Sequence, residues 1–334
     1  MHIEARNLGT VIYPIKSSGY FHPLSIMKIA SILKKEKFDL IHTQASKDLW
    51  FLVPALQLTG NKIPLFLTKH VGSFIVKRDR FHRILYRRVT LAFAISRVIK
   101  KNLSETTPLT EDKIILFPNA VETKVFNPEI VDCKKVREEF SIDKKEIVIG
   151  MLARFSPGKG HEEFIEAARN LNIQHHNLKY IIVGEPSRGE DEYAENIKNL
   201  VKEYNLKNLI FAGFRKDIPE ILAAMDIFVF PSHAEAFGLA LIEAMAMGKP
   251  SVCSNSDGVL DIAVEGETSL FFEKKSSIDL QRKIEILINS PEKREAMGLN
   301  ARKRIVEEFD IEGITDKIIG IYRSYTKDKI ESKL

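Results

Sequence analysis

Two glutamates stand where they could bind the polar groups of a ligand. Glu235 and Glu243 lie in PSHAEAFGLALIEAMAMGKPSV with seven residues between them. Because this stretch follows DIFVF, an apolar run typical of a buried strand, we predict Glu235 in a loop and Glu243 about one and a half turns into the next helix. Both carboxylates can then face the carboxyl edge of a sheet. The free N–H groups of Phe237, Gly238 and Leu239 would form an anion site where that helix begins.

A second loop carries two cations. In GMLARFSPGKGHEEF another predicted strand leads into a loop rich in Gly and Pro, which holds Arg154 and Lys159, and then into a helix. Arg offers a planar fork of donors and Lys a compact point charge. Two such cations at one edge of a sheet predict a site for a diphosphate group, whose negative charge they would neutralise.

The elements that would position these loops alternate short apolar runs with helix-period segments, as in the βαβ units of a parallel sheet. From about Glu146 onward the predicted strands are EIVIGML, KYIIVG, NLIFAG and DIFVF. The first part repeats this pattern more weakly, with FDLIHTQ, PLFLTKH, LAFAIS and KIILFPNAVE as strands and IMKIASILKKEK as a helix. The predicted fold class is α/β, with two Rossmann-like doubly wound domains facing a cleft. A polar, strand-poor stretch over 127–145 marks the boundary between them.

Composition narrows the classes of function. The 334 residues allow two ordinary domains. The 50 Lys and Arg residues exceed the 45 Asp and Glu residues by five, an excess too small to indicate a nucleic-acid-binding protein. Cys133 and Cys253 belong to no metal-ligand cluster, which favours a reducing cytoplasmic setting. No apolar run approaches the roughly 18–20 residues that span a bilayer, so we expect a cytoplasmic protein that is at most peripheral on the inner face of the cell membrane.

Basic residues are concentrated in one segment. Between Lys62 and Lys101 the sequence has one acidic residue, Asp79, among Lys69, Lys77, Arg78, Arg80, Arg83, Arg87, Arg88, Arg97 and Lys100. Helical spacing in VKRDRFHRILYRRV groups Phe81, Ile84 and Leu85. Either this helix lies on an anionic membrane, with contact over 77–101, or its apolar stripe packs in the core below a solvated basic face.

Four motifs together resemble one family of enzymes. SHAEAFGLALIEAMAMGKP, ARFSPGKG, VFPS and FPNAVETKVFNP resemble, in order and spacing, the motifs of the family-4 retaining glycosyltransferases of GT-B architecture, the glycosyltransferase group 1. The resemblance covers nearly the whole chain. It implies an acceptor-side domain over 1–135, completed by a C-terminal helix over 312–330, and a nucleotide-sugar donor-binding domain over 141–311.

The resemblance also implies roles for single residues on the donor side. Arg154 and Lys159 would hold the donor diphosphate, Glu243 would bind the ribose hydroxyls, and Glu235 would contact the transferred sugar. Arg215, in GFRKDIPE, would lie at the edge of the base. The implied donor-binding set is Arg154, Lys159, Arg215, Glu235, Phe237, Gly238, Leu239 and Glu243.

On the acceptor side, the resemblance implies that His70, in LTKHVGSF, lies near the anomeric carbon. A hydrogen-bonded structural histidine at the end of a strand is the alternative. The implied catalytic set is Glu235, His70, Arg154 and Lys159.

The activity implied by the resemblance is a retaining, metal-independent hexosyl transfer. A UDP- or GDP-type nucleotide sugar would be the donor, and a glycan or lipid-linked molecule the acceptor, in the synthesis of surface polysaccharide or glycolipid. No cofactor is implied, because the nucleotide sugar is a substrate. The leaving phosphate would accept the proton of the acceptor hydroxyl, so that no protein nucleophile is needed.

Other classes of function remain as alternatives of different weight. Family members open with a strand, a glycine-rich loop and a helix, and this chain is expected to begin after them, with Gly19 no replacement for the loop. This shortened N-terminus leaves open a truncated, non-catalytic or partner-dependent sugar-nucleotide-binding GT-B protein. A nicotinamide-dependent oxidoreductase is disfavoured because neither half contains G-x-G-x-x-G after a strand. The basic segment lacks the motifs of a nucleic-acid reader.

Overall fold

A computed structural model describes residues 6–15 and 22–331, with side chains described as far as Thr326. Gly19, considered above as a substitute for the glycine-rich loop, lies outside these residues. Contacts divide the chain into two compact units. The first contains the described residues up to Ile95, then Ile99–Phe117 and the chain from Gly320, and the second contains Ser96–Val98 and Pro118–Ile319. The predicted change of domain, between residues 135 and 141, lies later in the chain than this change of unit at Pro118.

The first unit contains a parallel sheet of four strands in the order β1-β2-β3-β4. These strands are β1 Ile41–Thr43, β2 Leu65–Lys69, β3 Leu91–Ala94 and β4 Ile114–Leu116. The helices in this part of the chain are α1 Pro23–Lys35, α2 Leu49–Thr59, α3 Arg80–Arg87 and α4 Arg97–Thr106. Short 3-10 helices cover Ser46–Asp48 and Glu111–Lys113.

Apolar strands buried on both faces build the core of the first unit. Leu65, Phe66 and Leu67 of β2 are fully buried, which explains why this strand reads as a continuous apolar run. Phe66 stacks on Phe93 of β3, with ring centroids 5.8 Å apart. The last helix closes the same core, because the ring of Tyr322 lies 5.2 Å from that of Phe66.

The second unit contains a parallel sheet of six strands in the order β10-β9-β8-β5-β6-β7. These strands are β5 Ile147–Leu152, β6 Leu178–Val183, β7 Leu209–Gly213, β8 Ile227–Phe230, β9 Ser251–Ser254 and β10 Ser269–Phe272. The helices from here to the end of the described chain are α5 Lys134–Glu139, α6 His161–Leu171, α7 Asp191–Glu203, α8 Ile218–Ala224, α9 Leu239–Ala246, α10 Ser277–Asn289, α11 Pro291–Glu308 and α12 Ile311–Glu331. A 3-10 helix covers Asp257–Asp261.

The strand order of the second unit creates a topological switch point in its sheet. The chain passes from β5 to β6 and β7 on one side, and then returns to place β8 on the other side of β5. The carboxyl ends of β5 and β8 therefore flank a topological switch point, where open α/β sheets leave a crevice for a ligand. The two loops that carry the predicted site residues leave from these two strands.

The predicted α/β class is confirmed, and each apolar run that predicted a strand contains one. The predicted apolar stripe of the basic helix, α3, is only partly buried. Leu85 of α3 is buried, but Phe81 and Ile84 keep 70% and 53% of their surface exposed. The interpretation in which all three form a stripe inside the core is therefore wrong for Phe81 and Ile84, because α3 packs against α2 and buries Leu85 and Tyr86 instead.

Candidate active site

Two loops meet at the switch point of the second unit. The backbone N–H of His233, in the loop after β8, donates to the carbonyl of Gly158, in the loop after β5, at 2.8 Å. Gly160 makes the closer approach. Its φ is +80°, and a Cβ atom at this position would lie 2.4 Å from the carbonyl oxygen of Pro231. Only glycine fits such a contact, and the residue beside it is Lys159.

The approach of the loops brings together two of the predicted site residues. The Lys159 ammonium donates to Oε2 of Glu235 at 2.8 Å. The side chains of Lys159 and Glu235 keep 25% and 21% of their surface exposed, so a ligand can reach both. The backbone carbonyl of Glu235 accepts from Gly258 N at 3.0 Å, which fixes the loop from its other side. Without a ligand, the cation and the carboxylate neutralise each other.

A second contact between the same loops was not predicted. Nε2 of His233 lies 2.7 Å from Oε1 of Glu163, in the first turn of α6. Glu163 had no predicted role, although its position just after the G-K-G turn places it in the same loop junction. The pair ties the β8 loop to the start of α6, and so supports the geometry of Lys159 and Glu235.

The helix after the β8 loop begins with donors that have no intrahelical acceptor. Gly238 is its N-cap with a φ of +118°, and its carbonyl accepts the first helical bonds, from Leu241 and Ile242. The N–H groups of Leu239 and Ala240 precede those bonds and can bind an anion. Phe237 is buried, with its ring 6.1 Å from that of Phe309, so this residue can serve a ligand through its backbone but not its side chain.

Glu243 lies in α9, below this helix start. Burial raises the pKa of its carboxyl group from 4.5 to about 7. Among the described residues no side chain forms an ion pair or hydrogen bond with it. Since a half-buried carboxyl group without a protein partner loses part of its hydration, a ligand that donates hydrogen bonds to Glu243 would recover that cost.

The remaining cations of the predicted donor set differ in their surroundings. Arg154 is exposed at the end of β5, and no acid pairs with it in the described part of the chain. Arg215 already has partners. Its guanidinium group donates to Glu139 and Asp217 and lies 5.5 Å from the centre of the Phe140 ring. This fork ties α5 to the start of α8, and contact of Arg215 with a base stays a prediction.

His70 belongs to the first unit. It follows β2, and its Nε2 lies 2.9 Å from Oε1 of Gln44, which follows β1. Burial lowers the pKa of His70, which favours the neutral imidazole. Its neighbour His42 is more deeply buried, with a pKa of about 4, and lies 2.7 Å from Oγ1 of Thr68. His70 is thus a half-buried histidine at the carboxyl edge of its sheet, and its place near the anomeric carbon stays a prediction.

Two known families match successive parts of the chain. The pattern that defines the glycosyl transferases group 1 matches residues 132–304, which contain Arg154, Lys159, Glu235 and Glu243. The pattern of glycosyltransferase family 4 matches residues 2–125. The chain belongs to the group 1, family-4 glycosyltransferases.

Individual relatives cover most of this glycosyltransferase. It is 26% identical over 320 residues to the capsular polysaccharide biosynthesis glycosyltransferase CapM of Staphylococcus aureus, covering 91% of this chain and 81% of the relative. It is 29% identical over 312 residues to an Escherichia coli enzyme named UDP-Gal:alpha-D-GlcNAc-diphosphoundecaprenol alpha-1,3-galactosyltransferase, covering 89% of this chain and 78% of the relative.

Solved structures share the fold of the glycosyltransferase. A glycosyltransferase from Rickettsia africae matches with a TM-score of 0.88 and 23% identity, over 98% of this chain and 88% of the other. Anabaena Alr3699/HepE, solved with UDP and glucose, matches with a TM-score of 0.81 and 21% identity, over 97% of this chain and 89% of the other. The fold is GT-B, with two Rossmann-like domains.

Proposed function

We propose that this glycosyltransferase moves a hexose from a UDP- or GDP-type nucleotide sugar to a glycan or lipid-linked acceptor, with retention of configuration and without a metal ion. The product would be a surface polysaccharide or a glycolipid. The observation that carries the proposal is the contact between Lys159 and Glu235, beside the free N–H groups of α9 and the unpartnered carboxyl group of Glu243.

The parts of a nucleotide sugar match these groups in order. The diphosphate would take the Lys159 ammonium and the Leu239 and Ala240 N–H groups, with Arg154 adding charge from the β5 loop. Glu235, released from Lys159, would then turn to the hydroxyls of the transferred sugar. Glu243 would accept hydrogen bonds from the ribose, which offers the donors that its carboxyl group lacks.

Catalysis would come from stabilising the leaving group. Negative charge grows on the diphosphate as the glycosidic bond breaks, and fixed cations and helix N–H groups at that point lower the barrier. The departing phosphate oxygen can accept the proton of the acceptor hydroxyl on the same face of the sugar, which gives retention. His70, neutral and half-buried, would line the acceptor side.

Relatives support the acceptor class. Two of them carry a diphospho-undecaprenol acceptor in their names, the Escherichia coli galactosyltransferase and a Campylobacter jejuni N-acetylgalactosaminyltransferase that is 26% identical over 345 residues. An acceptor of this kind lies in a membrane. Within residues 6–15 and 22–331, no helix combines the length and apolarity that crossing a bilayer requires. We therefore propose peripheral contact with an anionic membrane through 77–101, where Phe81 and Ile84 are exposed among arginines.

The test is binding and turnover of a panel of nucleotide sugars, by calorimetry and by release of the nucleotide. The wild type is compared with Lys159→Ala and Glu243→Ala, and with Lys144→Ala, which changes an exposed lysine away from the site. We expect saturable binding of one donor and transfer to a lipid-linked acceptor, both lost in the first two variants and kept in the third. Binding without turnover would favour the alternative, a non-catalytic or partner-dependent sugar-nucleotide-binding protein, and absence of binding would refute both.

A further inference from the structure

The first unit contains a cavity that the proposed transfer reaction does not use. Its volume is about 580 Å³, and its lining includes Thr107, Thr110 and Lys113, which precede β4. Nζ of Lys113 donates to the carbonyl of Val89, just before β3, at 3.3 Å. The cavity therefore lies at the amino edge of the parallel sheet, opposite the carboxyl edge where His70 follows β2.

Cations dominate the lining of this cavity. Arg78, Arg83, Arg87 and Lys113 contribute to it, and no carboxylate does. Thr110 adds a hydroxyl group to the lining, whereas the hydroxyl of Thr107 already donates to the carbonyl of Leu103 at 2.7 Å. The volume is in the range of small-molecule sites, and the polar lining is what a charged ligand requires.

Backbone carbonyls orient three of the four cations, Arg78, Arg83 and Lys113, without neutralising them. Nη2 of Arg78 donates to the carbonyl of Ser104 at 2.7 Å, and Nε of Arg83 donates to the carbonyl of Arg78 at 2.9 Å. Carbonyl acceptors orient a guanidinium group but leave its full charge. None of the four forms an ion pair with an acid in the described part of the chain.

Glu111 and Asp112 precede Lys113 but do not line the cavity, and the acid nearest to the three arginines in the sequence is already engaged. Asp79 caps α3, since Oδ1 accepts from the backbone N–H groups of Phe81 and His82, and its other oxygen contacts the His82 ring. The three arginines are exposed, so solvent screens part of their mutual repulsion, and an anion placed among the four cations lowers it further. Guanidinium forks match the oxygens of a phosphate group, and Lys supplies a further point charge.

We propose that this cavity is a second ligand site that binds a phosphate group, carried either by a small soluble phosphate or by the headgroup of an anionic phospholipid. The site belongs to the first unit, whereas Lys159, Glu235 and Glu243 belong to the second. It is separate from the donor site, and a bound phosphate there holds α3 and the segment before β4 together.

The test measures whether a bound ligand protects individual arginines of the cavity from chemical labelling. Phenylglyoxal labels the guanidinium groups of the full chain, and peptide mass spectrometry measures the labelling rate at Arg83 and Arg87. The two probes are inorganic pyrophosphate and monomeric dihexanoyl-phosphatidylglycerol, with dihexanoyl-phosphatidylcholine as the uncharged control lipid. We expect saturable protection of both arginines by an anionic probe, and none by phosphatidylcholine.

Lys113→Gln removes one cation and leaves both reporter arginines. It should lower the affinity for the protecting probe about tenfold. Lys144→Gln, at an exposed lysine of the second unit, should leave that affinity unchanged. Protection by pyrophosphate indicates a soluble phosphate ligand, and protection by phosphatidylglycerol alone indicates a lipid headgroup. No protection by either probe, or equal protection in Lys113→Gln, overturns the proposal.

The same labelling experiment with a donor nucleotide tests the proposed donor site independently of the cavity. A donor nucleotide should protect Arg154, which does not line the cavity, whether or not its phosphates also protect Arg83 and Arg87. Loss of that effect speaks against the donor site in the second unit and leaves the cavity result intact.

Discussion

The ammonium group of Lys159 lies 2.8 Å from a carboxylate oxygen of Glu235, 76 positions further along the chain. The two residues come from loops on either side of the switch point, and glycine at position 160 lets the loops touch. A diphosphate that binds Lys159 would therefore compete with Glu235 for the charge of the ammonium group.

This competition predicts opposite effects for the two partners. Lys159→Ala should reduce transfer about 10²-fold or more, because a cation that stabilises the leaving group is lost. Glu235→Gln should also reduce transfer, but it should tighten the binding of a free nucleoside diphosphate, because Lys159 is no longer neutralised. Calorimetry with the nucleotide alone measures this effect.

Glu267→Gln, at an exposed glutamate of the second unit, is the matched control for the charge change. Nucleotide affinity that falls in Glu235→Gln would contradict the competition. It would mean that Glu235 supports the diphosphate site instead of screening it.

The glycine contact predicts a large cost of adding one methyl group. In Gly160→Ala the new Cβ must avoid the carbonyl of Pro231 and adopt a left-handed φ, so we expect a loss of about 2–4 kcal/mol in the free energy of unfolding. Gly189→Ala has a similar φ, +85°, with no atom within 4 Å of the new Cβ, and should cost about 1 kcal/mol. Urea unfolding of both variants measures the difference, and equal losses would show that the contact with Pro231 is not tight.

The raised pKa of Glu243 predicts a pH dependence of stability. The folded carboxyl has a pKa of about 7 against an ordinary value of 4.5, so the folded state binds the proton more tightly than the unfolded state. Stability contributed by this group is therefore present below pH 4.5 and is lost as the pH rises toward 7. Glu243→Gln cannot ionise, so its free energy of unfolding relative to the wild type should rise across this pH range by up to about 3 kcal/mol.

Thermal unfolding at several pH values measures the Glu243 effect. Glu203→Gln, at an exposed glutamate, should follow the wild type at every pH. A Glu243→Gln difference that does not change between pH 4.5 and 7 would mean that the carboxyl is solvated in the folded protein.

Local sequence predicted the strands and the two chemical loops because both follow from patterns within a few residues. A strand buried on both faces reads as an apolar run, and a G-K-G or A-F-G turn after it marks a loop at the carboxyl edge. The predicted placement of Glu243 in the helix after Glu235 depended only on this local order. The raised pKa of Glu243 depended on packing, which local spacing does not give.

Contacts between distant segments could not be predicted in the same way. Glu163 meets His233 across 70 positions, and Arg215 meets Glu139 across 76. The sequence separation of either pair does not predict a contact, because the order of the strands in the sheet determines which segments meet. For the same reason the predicted contact of Arg215 with the base did not include its distant carboxylate partner, Glu139.

The exposed apolar surface around α3 supplies the last prediction. Val71, Phe74, Ile75 and Val76 are exposed in the loop before α3, and Phe81 and Ile84 are exposed on it. Apolar side chains next to arginines favour the boundary of an anionic bilayer.

The double variant Phe74→Ser/Ile75→Ser should bind vesicles containing phosphatidylglycerol about tenfold more weakly, because it removes apolar area that would enter the bilayer. Ile173→Ser, at an apolar residue of similar exposure in the second unit, should bind like the wild type. Sedimentation with the vesicles measures the bound fraction. Equal losses in both variants would mean that the apolar loop has no special part in membrane contact, and binding abolished by salt alone in the wild type would assign that contact to the arginines.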